Sequence, residues 1–400
     1  MINQAPEKNQ RLPDGIVLLL VLILAGIGLV MVYSAGAPLD RNPYHYLSHQ
    51  AVFFVCGITL MLVLSNINLA RLNKTWIIVG LMIVSFVALC LVWVPPFASP
   101  IKGKIFRWMK LGPVTMQPSE LAKGAMVLFL AYYLAYVGVE VRRFWKGVAP
   151  PAMVAALYAS VIVIEPDLGA AAMIGLLLLV MLFIGGVKKR ILGAVFALSG
   201  LAVSAMVIVT PWRLRRIVAF LHPWDDPKGA SYQIIQSIIA LGSGGLTGVG
   251  LGNGRQKLYY LPEIHNDFIL ANLGEELGLL GILSVLTLFA FLIWRAIKIT
   301  MRAPEPFVRL VGVGAASLLA LQVIVNAGVV MCLLPTKGLA LPFLSYGGSS
   351  ALLNFGLVGL IISAGRTGAP RAARREVLNL LPSRAKKEEA CLEEPNISIS

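Results

Sequence analysis

Five ionisable side chains lie within one short segment of an otherwise strongly apolar chain. The segment YLPEIHNDFILANLGEELG, residues 260–278, begins like a polar loop and continues like a membrane helix. Its ionisable residues are Glu263, His265, Asp267, Glu275 and Glu276. Asp267 falls at the predicted junction of loop and helix, where a carboxylate either caps the helix or acts as a general base at the membrane surface. Asn266 could cap the helix instead, so the spacing leaves both interpretations open.

Ionisable residues also occur within the predicted spans. Glu120 and Lys123 lie one helical turn apart in QPSELAKG. A charged group at membrane depth must find a partner, change its protonation state or face water. We therefore predict that Lys123 pairs with Glu275 or Glu276, in a structural more than a catalytic role. His265 is either a satisfied loop histidine or a side chain that orients the Asp267 carboxylate.

Basic residues cluster in three segments predicted to share the outer face of the membrane. Arg107 lies in KGKIFRWMKLGP, Arg213 and Arg216 lie in PWRLRR, and Lys337 lies in LLPTKGLALPFLSYGGSS. Prolines and a Gly-Gly-Ser-Ser turn interrupt the last segment, and such breaks are tolerated at membrane depth where they line a cavity. We expect Lys337 and the serines of that turn to face a cavity; these serines are Ser349 and Ser350.

A glycine-rich segment adds a candidate for anion binding. GSGGLTGVGLGNG, residues 242–254, is followed by Arg255 and Lys257. Backbone without side chains can approach a ligand closely, and its N–H groups can bind an anion. Together, the cations, the glycine-rich segment and Asp267 predict a site for an anionic, membrane-tethered substrate. The carboxylate would act as a base or would hold a divalent metal that bridges to phosphate.

Composition indicates the elements that must position these residues. Of 400 residues, 58% are hydrophobic and 13% are charged, with a mean hydropathy of +0.81. A soluble domain cannot bury that much apolar surface, and each span needs about 20 apolar residues. We predict an all-α polytopic integral membrane protein with about ten transmembrane helices. The apolar runs are 16–35, 50–66, 75–95, 118–137, 148–164, 168–186, 191–210, 267–294, 308–333 and 348–365.

The intervening segments set domain boundaries and orientation. A large extracytoplasmic loop, about 211–266, joins helices 7 and 8, and its IIQSIIAL run suits a short re-entrant or interfacial helix. Lys and Arg are more frequent in the segments that would be cytoplasmic if the N-terminus is inside, which places both termini inside. We divide the chain into a cytoplasmic segment 1–15, a membrane domain 16–365 and a cytoplasmic tail 366–400, predicted to be disordered. The net charge of +15 reflects orientation and not nucleic-acid binding.

Several motifs together resemble the SEDS family (shape, elongation, division and sporulation) of membrane proteins. They are WMKLGPVTMQPSELAK, EPDLGAA, YQIIQS, GVGLGNGRQKL, YLPEIHNDFI, GEELG and LLPTKGLALPFLSYGGSS, in order from about residue 105 to 365. The last motif resembles the division branch of the family more than the elongation branch. Tyr259 departs from the pattern, since the division branch commonly has an acidic residue there.

The resemblance implies a peptidoglycan glycosyltransferase that polymerises lipid II by inverting transfer at the outer face of the cytoplasmic (inner) membrane, at the division septum. It implies a class B penicillin-binding protein and other divisome membrane proteins as partners. Asp267 stands at the family's catalytic aspartate. In this interpretation, the diphosphate is held by cations, assisted by Mg²⁺ or Mn²⁺ and without an organic cofactor. The candidate cations are Arg213, Arg216, Lys337 and Arg107.

Three other roles remain open from the sequence. A lipid II flippase would use intramembrane charges as a polar path; these are Glu120, Lys123, Glu275 and Glu276. A non-catalytic scaffold would only recruit the transpeptidase. An enzyme of the elongation branch would perform the same chemistry away from the septum.

Overall fold

The computed structural model describes residues 14–95, 97–101, 105–112 and 114–367. The predicted segments 1–15 and 366–400 therefore lie almost wholly outside the described residues. Helices make up most of the described chain. They are α1 Gly15–Gly36, α2 His45–Asn66, α3 Thr75–Leu91, α4 Pro118–Val137, α5 Ala149–Ile164, α6 Leu168–Ile184, α7 Lys189–Val209, α8 Pro211–Leu221, α9 Tyr232–Gly244, α10 Ile269–Thr300, α11 Pro306–Val330 and α12 Gly348–Thr367.

Ten of these helices coincide with the ten predicted spans, namely α1–α7 and α10–α12. Eight of the ten regions are long and apolar enough to cross a membrane, and the other two, α3 and α6, are shorter apolar helices. The prediction of an all-α polytopic membrane protein is confirmed for the membrane domain.

Burial is unequal among the spans. About two thirds or more of the apolar windows of α11 and α12 is buried inside the protein, against none of that of α7. α2 and α10 pack beside α12, α4 and α6 pack beside α11, and α11 packs against α12, so these six helices form the core of the bundle. α7 lies at the periphery: none of its residues is fully buried, it packs against α6, and it leads directly into α8.

One end of the bundle carries both chain termini of the membrane domain. Asp14 precedes α1 and binds Arg295 near the end of α10, at 2.7 Å. Arg366, at the end of α12, donates to the carbonyl of Ser65 at the end of α2. Asp267, at the start of α10, therefore lies at the opposite end.

The predicted outer loop 211–266 contains two helices. α8 holds PWRLRR, which the sequence analysis treated as loop, and α9 contains the IIQSIIAL run, as predicted. Ser237 of α9 donates to the carbonyl of Val330 at the end of α11, 2.8 Å away. This bond fixes α9 to the core of the bundle.

A small antiparallel sheet precedes α4, and the sequence analysis did not predict it. Its strands are β1 Ala98–Ile101, β2 Ile105–Leu111 and β3 Val114–Met116, in that spatial order. Met109 of β2 pairs with Ala98 of β1 and with Met116 of β3. Three strands this short leave no alternating pattern long enough to recognise, although Gly112, at φ +62°, marks the turn between β2 and β3.

A kink divides α10 at Gly278, whose φ of 68° is left-handed. The glycine-rich segment supplies hydrogen bonds to the broken helix: the N–H groups of Val249 and Gly250 donate to the carbonyls of Glu275 and Glu276, both at 3.0 Å. These bonds satisfy carbonyls that the kink frees. The segment contacts α10 and not a ligand cleft, so the prediction that it binds a substrate anion is not supported by its position.

Candidate active site

Asp267 lies immediately before α10 but does not cap it. The N-cap of α10 is Phe268, and no side chain makes a capping hydrogen bond there. Asn266, the alternative cap, donates instead to the carboxylate of Glu263, at 2.8 Å. Of the described residues, none donates a hydrogen bond to the Asp267 carboxylate. The helix-cap interpretation is therefore wrong, and the carboxylate is available to accept a proton.

Two neighbours fix the position of that carboxylate. The buried amide of Asn326, on α11, donates to the carbonyl of Asp267 at 3.0 Å and to the carbonyl of Leu339 at 2.6 Å. Asn326 thus joins the start of α10 to the irregular segment after α11. On that segment, a Cβ added to Gly338 would lie 2.7 Å from Oδ2 of Asp267. Only a glycine leaves the carboxylate its present place.

The electrostatic environment shifts the affinity of this carboxylate for protons. Burial, reinforced by the nearby charges of Glu263 and Asp167, raises the pKa of Asp267 to about 7. Arg107 and Arg216 oppose the shift. Burial dominates because it removes water from the ionised form. A carboxylate with a pKa near neutrality suits a general base, since a substantial fraction is ionised at neutral pH and the ionised form is a good proton acceptor.

The four predicted cations converge. A cleft enclosing about 60 Å³ is lined by side chains from β2, α8 and the segment after α11, together with the turn between α5 and α6. The cations that line it are Arg107, Arg213, Arg216 and Lys337. A second cavity of about 310 Å³ shares Trp212, Arg216 and Thr336 with the cleft. The guanidinium groups of Arg213 and Arg216 lie 5.0 and 5.4 Å from the centre of the Trp212 ring.

The ammonium group of Lys337 is shielded from water. Its Nζ is buried and has no hydrogen-bond partner among the described residues. Burial lowers its pKa to about 7; Asp167 opposes this change and the three arginines of the cleft reinforce it. An amine held this way gains most from an anionic ligand, which would restore its ordinary pKa.

Arg107 holds the sheet against the bundle. Its guanidinium donates to the carbonyls of Glu165, at 3.2 Å, and Pro166. These residues form the turn between α5 and α6, so the strand β2 is fixed beside the cleft by a cation that also lines it.

Two acidic residues of the cleft region were missed as site residues. Asp167 lines the cleft. It caps α6, because its Oδ1 accepts a hydrogen bond from the N–H of Ala170 at 3.1 Å. Its Oδ2 accepts a hydrogen bond from the side-chain amide of Gln117 at 3.0 Å. Burial, with the charge of Asp167, raises the pKa of Glu165 to about 8. The motif EPDLGAA contained the signal, because two carboxylates flank a proline between two apolar runs.

Three predicted binding residues lie outside the cleft lining. Ser349 accepts from the N–H of Gln117 at 3.0 Å, and Ser350 accepts from Asn354 at 3.2 Å. Ser349 therefore joins α12 to the start of α4, Ser350 bonds within α12, and the expectation that both serines face the cavity around Lys337 is corrected. His265 packs between Tyr46 and Tyr346, with ring centroids 4.7 and 5.6 Å away, and does not hydrogen-bond Asp267.

The intramembrane charges pair differently from the prediction. Lys123 binds Glu120 at 2.8 Å, one turn away on α4. Glu276 binds Lys257 at 2.7 Å and accepts from Ser34 at 2.6 Å. The carboxylate of Glu275 accepts from the N–H groups of Arg255 and Gln256, at 2.8 and 3.2 Å. The predicted pairing of Lys123 with Glu275 or Glu276 is therefore wrong, because each group has a nearer partner.

In the described part of the chain, no group of three or more His, Cys, Asp or Glu side chains is placed to hold a metal. The chemistry of the cleft still fits a divalent cation that binds through substrate. Mg²⁺ is commonly held by one or two carboxylates together with substrate phosphates. Asp167 lines the cleft and could hold such a cation. Asp267 is the second carboxylate, in the alternative in which it binds the metal and is not the base.

The chain matches a known family over nearly its whole described length. The profile of the FtsW/RodA/SpoVE family, described as cell cycle proteins, covers residues 15–368. The chain belongs to this family. The resemblance to SEDS proteins is thereby confirmed.

Curated members of the FtsW/RodA/SpoVE family align over most of the chain. A probable peptidoglycan glycosyltransferase FtsW of Geobacter sp. (strain M18) is 41% identical over 356 residues, which cover 88% of this chain and 96% of that protein. Stage V sporulation protein E of Bacillus subtilis (strain 168) is 39% identical over 362 residues, 88% of this chain and 97% of that protein.

Solved structures have a fold similar to that of this chain. A chain of a peptidoglycan synthase complex that coordinates polymerisation and crosslinking matches with a TM-score of 0.75 at 29% identity, over 90% of this chain and all of that one. Rod shape determining protein RodA of Thermus thermophilus matches with a TM-score of 0.66 at 28% identity, over 90% of this chain and 99% of that one.

Proposed function

We propose that this chain, a peptidoglycan glycosyltransferase by its family, polymerises lipid II with Asp267 as the general base. The observation that carries the proposal is the Asp267 carboxylate, which has no ion-pair partner among the described residues and a pKa raised to about 7, beside a cleft lined by four cations. Neither feature would be expected in a helix that only spans a membrane, where unpaired charge is costly.

In the proposed reaction, Asp267 accepts the proton of the acceptor sugar's 4-hydroxyl. The hydroxyl oxygen then forms a bond to the anomeric carbon of the donor sugar, and the bond from that carbon to the diphosphate breaks. A single displacement inverts the anomeric carbon, which converts an α-linked donor into a β-linked product. No strong acid is needed, since diphosphate is a good leaving group without a proton.

The cations supply the second half of the chemistry. Negative charge develops on the diphosphate as its bond breaks, and fixed cations in a dry cleft stabilise that charge more strongly than water does. Arg213, Arg216 and Lys337 are the candidates for this role, because Arg107 already donates to two carbonyls. Mg²⁺ or Mn²⁺ bound through the substrate phosphates would neutralise further charge on the diphosphate, and Asp167, which lines the cleft, could hold it while Asp267 serves as the base.

Cellular context follows from the same family. We infer that the end of the bundle carrying Asp267 faces outward, that both termini are cytoplasmic, and that the protein acts at the division septum. The basic residues favour this orientation. A crosslinking partner of the class B penicillin-binding type is expected, since a chain of similar fold occurs in a complex that coordinates polymerisation and crosslinking.

The flippase alternative has less support. It required the intramembrane charges to form a polar path across the bilayer. Glu120 and Lys123 instead bind each other, while Glu276 binds Lys257 and Ser34. A pure scaffold would have no need for a shifted carboxylate beside four cations.

The test is polymerisation of purified lipid II in the presence of the partner transpeptidase. Wild type is expected to form long glycan strands, and Asp267→Asn to form none, since the amide cannot accept the proton. Each protein is assayed with Mn²⁺ and with EDTA, which separates a metal requirement from the base. Normal polymerisation by Asp267→Asn would refute the mechanism and favour transport or scaffolding.

A further inference from the structure

A third cavity, distinct from the two near Asp267, lies at the opposite end of the bundle. It encloses about 500 Å³, within the range of ligand-binding pockets. Its walls come from the C-terminal ends of α4 and α6, the turn after α4, Met301 after α10, and the start of α11. None of the proposed catalytic residues lines it.

The lining of this cavity combines apolar side chains with two arginines. Arg142 and Arg309 line it, and none of the residues that line it is acidic. Its rim is unusually apolar for an exposed surface, since Val139 is 87% exposed and Met301 is 55% exposed. An apolar rim around a basic centre suits a ligand that has both a negative group and a hydrocarbon chain.

The two arginines have no counter-charge in the described part of the protein. Glu140, the nearest acidic residue in sequence to Arg142, lies 3.7 Å from Arg143 and 3.2 Å from Lys146 instead. Glu305, one turn before Arg309, accepts from Asn73 at 3.3 Å. Two positive charges beside apolar surface, with no acidic side chain among the lining residues, favour a negatively charged ligand.

The start of α11 adds to the positive field. The helix begins at Pro306 without a side-chain cap, and Pro306 lines the cavity. Uncapped N–H groups carry the positive end of the helix dipole. Three helix C-termini also approach the cavity and contribute partial negative charge, so the guanidinium groups remain the main source of attraction for an anion.

We propose that this cavity binds the headgroup of an anionic phospholipid. The phosphate lies between Arg142 and Arg309, and an acyl chain follows the apolar rim at Val139 and Met301. Basic pockets between helices on the cytoplasmic side are a recurrent form of anionic lipid recognition. A zwitterionic lipid fits less well, because the lining has no carboxylate to accept its cationic group.

Native mass spectrometry of the purified full-length protein tests the proposal directly. Phosphatidylglycerol and phosphatidylcholine of the same acyl composition are titrated separately onto the detergent-solubilised protein. Wild type is expected to retain phosphatidylglycerol about tenfold more tightly than phosphatidylcholine. The double variant Arg142→Gln, Arg309→Gln is expected to lose that preference.

The control is Arg143→Gln, which removes an exposed arginine that does not line the cavity. It is expected to retain phosphatidylglycerol like wild type. Since Arg142 is solvent-exposed, the single variant Arg142→Gln should fold, and it is expected to weaken retention about threefold. Unchanged retention in Arg142→Gln and in the double variant, or equal retention of the two lipids by wild type, would overturn the proposal.

Discussion

At the scale of single residues, the position of the Asp267 carboxylate depends on the absence of a side chain at Gly338. We expect Gly338→Ala to displace the carboxylate, since the new Cβ would lie 2.7 Å from Oδ2. A displacement near 1 Å at a reacting group lowers the rate about 100-fold. Glycan polymerisation from lipid II measures the loss, and thermal unfolding should change little because Gly338 is exposed.

The matched control for that change is Gly200→Ala. Gly200 lies on α7, and nothing within 4 Å would contact its added Cβ. It should polymerise lipid II at the wild-type rate. Equal activity of Gly338→Ala and Gly200→Ala would contradict the placement of the base.

The pH dependence of the reaction also belongs to individual residues. Asp267 must be ionised, and its pKa of about 7 predicts that kcat/KM falls as pH drops below neutrality. Lys337 must be protonated, and its pKa of about 7 predicts a second fall above neutrality. We therefore expect a narrow bell-shaped profile. Lys337→Arg should remove the alkaline limb alone, since arginine stays charged at every relevant pH.

A profile that stays flat between pH 6 and 8 for wild type and for Lys337→Arg would contradict the assigned roles.

The sequence could predict Asp267 and the four cations as site residues, because their types and segments were visible. It could not predict the involvement of Asp167 and Glu165, because the turn between α5 and α6 reaches the cleft only through packing. Neither could it predict that Ser349 and Ser350 turn away, which depends on Gln117 and Asn354.

At the scale of elements, a buried ion pair adds to the backbone hydrogen bonds that join the glycine-rich segment to α10. Lys257 is 5% exposed and Glu276 is fully buried, and Ser34 of α1 hydrogen-bonds to both. We expect Lys257→Met to destabilise the protein by about 3–5 kcal/mol, since it leaves a buried carboxylate without its cation. Thermal or denaturant unfolding in detergent, followed by loss of helical signal, measures the change.

The comparison for that variant is Lys298→Met, which removes an exposed lysine lying over the ring of Trp294, at 4.6 Å. It should cost less than about 1 kcal/mol. If the two variants lose the same free energy of unfolding, the Lys257–Glu276 pair does not stabilise the joint between the glycine-rich segment and α10.

Elements differ in how well the sequence predicted them. Ten apolar runs became ten helices, because length and hydropathy determine a span almost alone. The sheet before α4 and the helical state of PWRLRR were missed. Both are short, and short elements give a weaker signal in the sequence than the long apolar spans do.

At the scale of the whole molecule, the two ends of the bundle should face opposite sides of the membrane. We expect Tyr259→Cys, near Asp267, to react with an impermeant maleimide in intact cells. Val139→Cys, at the opposite end, should react only after the membrane is opened. Both positions are highly exposed, at 72% and 87%. The background protein has its native cysteines replaced by serine, and the inverse labelling pattern would reverse the orientation.

The sequence predicted the number of spans but not their arrangement. It could not indicate that α7 packs at the periphery, because its composition matches that of the other spans. Nor could it separate ion pairs within one helix from those between helices. Lys123 had three acidic candidates at similar depth, and only the packed structure selects Glu120.

The guanidinium of Arg107 serves two purposes that compete. It fastens β2 to the carbonyls of Glu165 and Pro166, and it lines the cleft proposed for the diphosphate. An anion that binds the Arg107 guanidinium in the cleft would weaken its hydrogen bonds to the two carbonyls. Because coupling between two sites is reciprocal, those hydrogen bonds weaken binding of the anion by the same free energy. A protein partner that braced the small sheet from outside would thereby change the affinity of the cleft without touching it. Through Arg107, the anchoring of β2 therefore depends on whether an anion occupies the cleft.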